Sequence, residues 1–287
     1  MNRHISPLRY PGGKSKLTPF ITNLLLKNDL IGGTYIEPYA GGSGAALSLL
    51  FSKSVSNIVL NDKDYFIYCF WYSILNDTEI FLRLVKNKRV SITEYKRQRE
   101  IYYDKDYKQK YSITEIGFCA FFMNRCNRSG ILTGGPIGGY TQTGDWTINS
   151  RFNKTDLVSK IEKIAHLKDN IQVYNEDAVD LVDILSDTLP SNSLYYFDPP
   201  YFVKGKELYL NYYSAEDHQH IANKIDSIKR QSWIVTYDNV PAIQSLYQKY
   251  RQETFTLNYS AGKAVKGTEL MIYSDNLIMP NTILKTA

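Results

Sequence analysis

Five short β-rich runs, at residues 34–38, 58–61, 171–174, 194–197 and 233–237, alternate with helical patterns at 15–27, 44–51, 65–75, 178–185 and 214–229. No other feature of the chain limits its fold as much. A β-rich run that leads through a helix into another β-rich run closes by a crossover. The alternation therefore predicts a doubly wound, Rossmann-like α/β sheet with helices on both faces. Sheets of this kind bind ligands in the crevice outside the carboxyl ends of their strands, so the residues that end each run are where chemistry is expected.

The rhythm breaks between the second and third runs. Residues 72–168 read as helices near 78–85, 92–103, 114–124 and 155–167, with a loop from Asn127 to Gly144 too polar and glycine-rich to be core. This predicts an inserted, mostly helical domain at 72–168, within a catalytic domain formed by 1–71 and 169–287. Charge divides the same way: the insert holds 17 Lys/Arg against 10 Asp/Glu, or +7, which leaves −2 for the remainder of a chain whose net charge is +5. A basic block is either a solvated face or the footprint of a polyanion. Tyrosines among these cations, as in Tyr95-Lys96-Arg97 and Tyr102-Tyr103, can supply phosphate hydrogen bonds and stacking faces. A closing antiparallel hairpin is expected at 255–259 and 269–273.

Other classes are set aside quickly. No apolar run reaches membrane-spanning length, and residues 1–16 are polar and basic without an apolar signal core, so a soluble cytoplasmic protein with no membrane partner is expected. Cys69, Cys119 and Cys126 lack metal-ligand spacing and read as buried, reduced thiols. The four histidines offer no ligand arrangement, so no metal is expected.

The strongest chemical signal is Asp198-Pro199-Pro200-Tyr201, directly after the run at 194–197. An aromatic exocyclic amine is a poor nucleophile because its lone pair is delocalised into the ring. A carboxylate at Asp198 and the Pro199 carbonyl can both accept from that NH2, localise the pair and stabilise developing positive charge. Pro200 stiffens the loop without adding a donor, and Tyr201 can stack on a base. The plain alternative is a proline-rich turn with Asp198 capping the next helix. A second signal, Glu37-Pro38-Tyr39-Ala40-Gly41-Gly42-Ser43-Gly44, joins a strand to a helix, where glycines allow close ligand approach and the helix start offers N–H groups. It has neither the G-K-[ST] ending of a phosphate loop nor a G-x-G-x-x-G order. Asp62, after the second run, can hold a ribose diol or cap a helix. Asp177, after the third, can accept from an adenine amine. Arg9-Tyr10-Pro11-Gly12-Gly13-Lys14 can wrap a ligand's charged end, with Lys14 pairing a carboxylate, or can be a basic arm.

Taken together and in this order, these segments resemble the DNA adenine-N6 methyltransferase family in which a glycine-rich cofactor loop precedes a target-recognition insert and then D-P-P-Y. The resemblance runs from Pro7 to about Tyr273. It implies an S-adenosylmethionine-dependent methyltransferase sheet with an inserted DNA-recognition domain, acting on an adenine flipped out of double-stranded DNA by a monomer or weak dimer. It implies cofactor contacts from Tyr10, Lys14, Glu37, Pro38, Gly41, Asp62, Asp177 and Asp198, and catalysis by Asp198, Pro199, Pro200 and Tyr201. Arg125, Asn127, Arg128 and Arg151 become candidate DNA contacts. Relatives that methylate GATC tend to carry N-G-x-x-R-x-N and F-N-x-P-x-G. This chain instead shows Asn127-Arg128-Ser129-Gly130 and Gly134-Gly135-Pro136, so the resemblance does not extend to that target.

Overall fold

A computed structural model describes residues 5–10, 13–203, 213–259 and 265–280, with no side-chain description for 257–259 and 265–267. Pro11 and Gly12 of the Gly-Gly-Lys segment and the tip of the closing hairpin lie outside the described residues. In chain order the helices are α1 (Thr18–Lys27), α2 (Gly44–Phe51), α3 (Tyr65–Asn76), α4 (Thr78–Asn87), α5 (Ile92–Tyr103), α6 (Tyr107–Lys110), α7 (Ile113–Cys126), α8 (Lys154–Ala165), α9 (Ala178–Leu185), α10 (Ala215–Ser227) and α11 (Pro241–Leu246). The strands are β1 (Thr34–Glu37), β2 (Asn57–Asn61), β3 (Ile171–Tyr174), β4 (Leu194–Phe197), β5 (Ser232–Asp238), β6 (Arg251–Tyr259) and β7 (Val265–Tyr273). All five expected strands form within a residue of their expected ends. The first helix differs: residues 14–17 form a 3-10 turn and the α-helix starts at Thr18, where Pro19 occupies the first turn and cannot donate. The short helices α6 and α11 were not anticipated, because single turns show no readable period.

The chain divides into two compact units, residues 14–61 with 176–287, and residues 1–13 with 62–175. In the first, strands line up in the order β2-β1-β4-β5-β7-β6. Pairings among β2, β1, β4 and β5 are parallel, and β7 pairs antiparallel with both β5 and β6. Strands β1, β4 and β5 are buried along their whole length, as expected of parallel strands covered on both faces. Their carboxyl ends, at Glu37, Phe197 and Asp238, lie on one edge of the sheet, where Asp198 follows β4.

The second unit is mostly helical, with β3 as its strand. Its core is aromatic: Phe70 stacks on Phe121 at 5.7 Å, and Phe81, Phe118 and Phe152 pack edge-on or tilted around them. Helices α3 and α7 meet at Gly117, where an added Cβ would lie 2.4 Å from the Cys69 carbonyl oxygen. Helix α7 begins with a reciprocal capping box between Ser112 and Glu115. All three cysteines are buried free thiols. Among the described residues, no helix is long and apolar enough to cross a membrane, and no group of three His, Cys, Asp or Glu could hold a metal ion.

Candidate active site

Asp198 follows β4, and the parallel register that sets Phe197 against Val235 brings Thr236 beside it. The Thr236 hydroxyl donates to Asp198 Oδ1 at 3.0 Å, and the Lys14 ammonium lies 3.3 Å from the same oxygen. Tyr196 and Thr236 share a hydrogen bond at 3.0 Å that fixes the threonine. Asp198 keeps a quarter of its side chain exposed, whereas Lys14 is almost wholly buried. Burial pushes the Asp198 carboxyl above its ordinary range, against the lowering effect of Lys14 and the Thr236 hydrogen bond.

Tyr201 and the chain after it are held from strands that follow later. Asp238, at the end of β5, accepts from the Phe202 and Val203 amides, each at 2.9 Å, and so pins the loop after Tyr201. Glu269 on β7 is buried and accepts from the Tyr201 hydroxyl at 2.5 Å. Lys14 donates to the Tyr201 hydroxyl at 2.6 Å, lies 5.0 Å from the centre of its ring and reaches Glu269 Oε2 at 3.3 Å. One ammonium thus stands between two carboxylates.

The glycine-rich segment after β1 is tied from below by Asn61. Its side-chain amide donates to the Pro38 carbonyl at 2.9 Å and to the Glu176 carbonyl at 3.0 Å, and its Oδ1 accepts from the Glu176 amide at 2.9 Å. The Ala40 amide donates to the Asn61 carbonyl at 2.8 Å. Gly41 and Ser43 both adopt left-handed backbone, with φ of 47° and 46°, so the chain doubles back sharply into α2. Ser43 makes no side-chain cap. Instead Glu37, buried at the end of β1, accepts from the Ala46 amide at 3.2 Å and caps α2 from a distance. Burial, the largest cause, raises its carboxyl to about 8, and the nearby Asp198 adds to the rise. Asp177 caps α9, accepting from the Val179 amide at 3.0 Å.

In the other unit, Asp62 accepts from the Asp64 amide at 2.9 Å, and Asp64 rather than Asp62 caps α3. The Tyr10 carbonyl accepts from the Gly13 amide at 3.3 Å. Just before Tyr10, the Arg9 backbone is clamped by buried Asn124, which accepts from the Arg9 amide and donates to the Arg9 carbonyl, both at 2.7 Å. Asn124 also donates to the Gly130 carbonyl at 2.8 Å. Asn127 is buried, and its amide group donates to the Ile131 and Leu132 carbonyls. Arg125 directs its Nε at the Arg151 carbonyl at 2.7 Å, and Arg9 donates to the Asn127 carbonyl at 2.9 Å. Arg128 and Arg151 are exposed, Arg151 lying over the Trp146 ring at 5.5 Å.

Residues 10–260 match the family described as D12 class N6 adenine-specific DNA methyltransferase. The chain belongs to this family. A curated relative, the type II methyltransferase M.MjaIII of Methanocaldococcus jannaschii, is 24% identical over 259 residues, covering 86% of this chain and 85% of its own. Among solved structures, a putative RNA methyltransferase of Pyrococcus horikoshii aligns at 10% identity with a TM-score of 0.41, over 93% of this chain and 84% of its own. The rRNA methyltransferase aviRa of Streptomyces viridochromogenes aligns at 14% identity with a TM-score of 0.41, over 92% and 85%. This D12 class enzyme therefore methylates adenine N6 in DNA, the reaction anticipated from D-P-P-Y.

Thr236, Asp238 and Glu269 of this D12 methyltransferase escaped the sequence reading, although all three touch Asp198, Tyr201, Lys14 or the loop that follows. Thr236 interrupts the apolar run of β5, and a lone polar residue there is the signal that could have found it, since a buried polar group needs a partner. Asp238, beside Asn239, and Glu269, after Lys266-Gly267-Thr268, stand among other polar residues and carry no such signal.

Proposed function

We propose that this methyltransferase uses S-adenosylmethionine and acts on an adenine extruded from double-stranded DNA, with Asp198 and the Pro199 carbonyl accepting hydrogen bonds from the N6 amine. The observation that carries this reading is that Thr236 and Lys14 both address Oδ1 of Asp198. That leaves Oδ2 of a partly exposed carboxylate as the acceptor for an incoming N–H. Drawing one amine hydrogen there and the other to Pro199 pulls the nitrogen toward tetrahedral geometry and stabilises the charge that develops on it. N6 of a stacked, paired adenine already donates one hydrogen to its partner base and cannot offer both to Asp198 and Pro199, so extrusion follows from the chemistry of the site. Tyr201 offers a ring for the extruded base.

The residues present fit the cofactor. A buried ammonium at Lys14 suits a carboxylate, and the start of α2 follows two left-handed turns with no Ser43 cap. Together with Tyr10, Glu37, Pro38, Gly41, Asp62, Asp177 and Asp198, these would hold it, and it would supply an electrophilic methyl on a sulfonium. Residues 72–168 serve as the target-recognition segment. Exposed Arg128 and Arg151 reach phosphates or guanine edges there, while Arg125 and Asn127 shape the loop that presents them. The likeness to a type II methyltransferase supports a role in restriction-modification. The test is Asp198→Ala in a labelled-methyl transfer assay. Turnover should fall about 10²–10³-fold, the usual cost of deleting one preorganised transition-state contact. Full activity would place the chemistry elsewhere.

A further inference from the structure

Glu269 is the group in this region that the amine chemistry does not account for. It is a carboxylate 2% exposed, on an antiparallel strand paired with β5, and the register sets it opposite Asp238. Burying a charge is costly unless partners compensate it, so the partners of Glu269 indicate its use. Oε1 accepts from the Tyr201 hydroxyl at 2.5 Å and from Lys14 at 3.4 Å, and Oε2 stands 3.3 Å from the Lys14 nitrogen. Lys14 lies at the same 3.3 Å from Asp198 Oδ1. A buried ammonium that faced Asp198 alone would close on it as a contact pair, and a carboxylate so neutralised is a weak acceptor for an amine.

We propose that Glu269 is a positioning residue for methyl transfer: it shares the Lys14 ammonium and anchors Tyr201, so that Asp198 meets the amine as an incompletely paired carboxylate. The inference rests on the reading of Asp198 as the amine acceptor. It needs no change in covalent chemistry and no further group. Glu269 acts through Lys14 and Tyr201, at one remove from the reacting nitrogen.

The test is Glu269→Gln, which keeps an oxygen to accept from Tyr201 and removes only the charge. Lys14 then faces Asp198 without the competing Glu269 carboxylate, so kcat should fall about tenfold while the KM for DNA stays within about twofold. The acid limb of the kcat–pH profile should move to lower pH by roughly half a unit or more, because one ammonium now stabilises a single carboxylate. Glu269→Asp, which retains the charge, should recover most of kcat and the original limb. Thermal melting of each variant separates these effects from loss of fold, and if Glu269→Gln does not fold, the neutral and smaller Glu269→Thr takes its place, with the same expected fall in kcat and shift of the acid limb. A kcat within twofold of wild type with a superimposable pH profile in the folded neutral variant would overturn it. Asp198→Ala assayed in parallel keeps the two readings apart, since its loss of activity beside an unaltered Glu269→Gln sinks only the role of Glu269.

Discussion

At the residue scale, the site depends on how Thr236 and Lys14 share one oxygen of Asp198 and leave the other open. Thr236→Val removes the hydroxyl that occupies Oδ1 while keeping the side-chain shape. Because that hydrogen bond lowers the Asp198 carboxyl, the acid limb of the pH profile should move up, opposite in sign to Glu269→Gln, with kcat down several-fold. Glu37 makes a separate prediction about stability. Its folded carboxyl is raised to about 8, above the value it takes unfolded, so its contribution is full at acid pH and is lost as pH rises through about 8. Melting curves from pH 5 to 9 should show the wild type losing stability relative to Glu37→Gln, by about 1.4 kcal/mol for each unit of effective rise. Parallel curves would mean that Glu37 is not held protonated. Asp198 is legible in the sequence because a strand end followed by Pro-Pro-Tyr is a local pattern. Thr236 and Glu269 are not, since they lie 38 residues beyond Asp198 and 68 beyond Tyr201 and are brought in only by strand register. Asn127 shows the reverse case: it is polar and sits among arginines, yet it is buried with its amide bound to loop carbonyls.

Elements were legible where their period was long. Helix α5 spans the expected residues, and α7 extends the expected segment by a residue or two at each end, because apolar positions and an acidic first turn mark both. The one-turn α6 carries no such signal. What sequence could not show is how closely α3 and α7 approach. A Cβ at Gly117 would lie 2.4 Å from backbone of α3, so Gly117→Ala must push two helices apart. Overpacking of this kind costs roughly 1–3 kcal/mol, and at about 2–4 °C per kcal/mol the melting temperature should fall by several degrees despite alanine's better helix propensity. An unchanged or higher melting temperature would show that the helices part easily. Gly130 is constrained differently: at φ +79° its added Cβ would meet the Arg9 carbonyl oxygen at 2.1 Å, so the loop after α7 needs glycine to leave room for the segment before Tyr10.

For the whole molecule, the alternation of strands and helices told of a parallel sheet, and the antiparallel β7 was visible only as half of a closing hairpin. The excess of positive charge between residues 72 and 168 has a consequence of its own. If about six phosphates are contacted there, affinity for duplex DNA should drop on the order of a thousandfold between 50 and 200 mM salt, read by fluorescence anisotropy. A flat profile would remove the insert from the DNA interface. The most direct test of the account is to digest DNA methylated by the enzyme with labelled S-adenosylmethionine and identify the nucleoside that carries the label. It should be N6-methyladenine with the wild-type enzyme and nearly absent with Asp198→Ala; label on cytosine N4, or undiminished labelling by Asp198→Ala, would contradict the account.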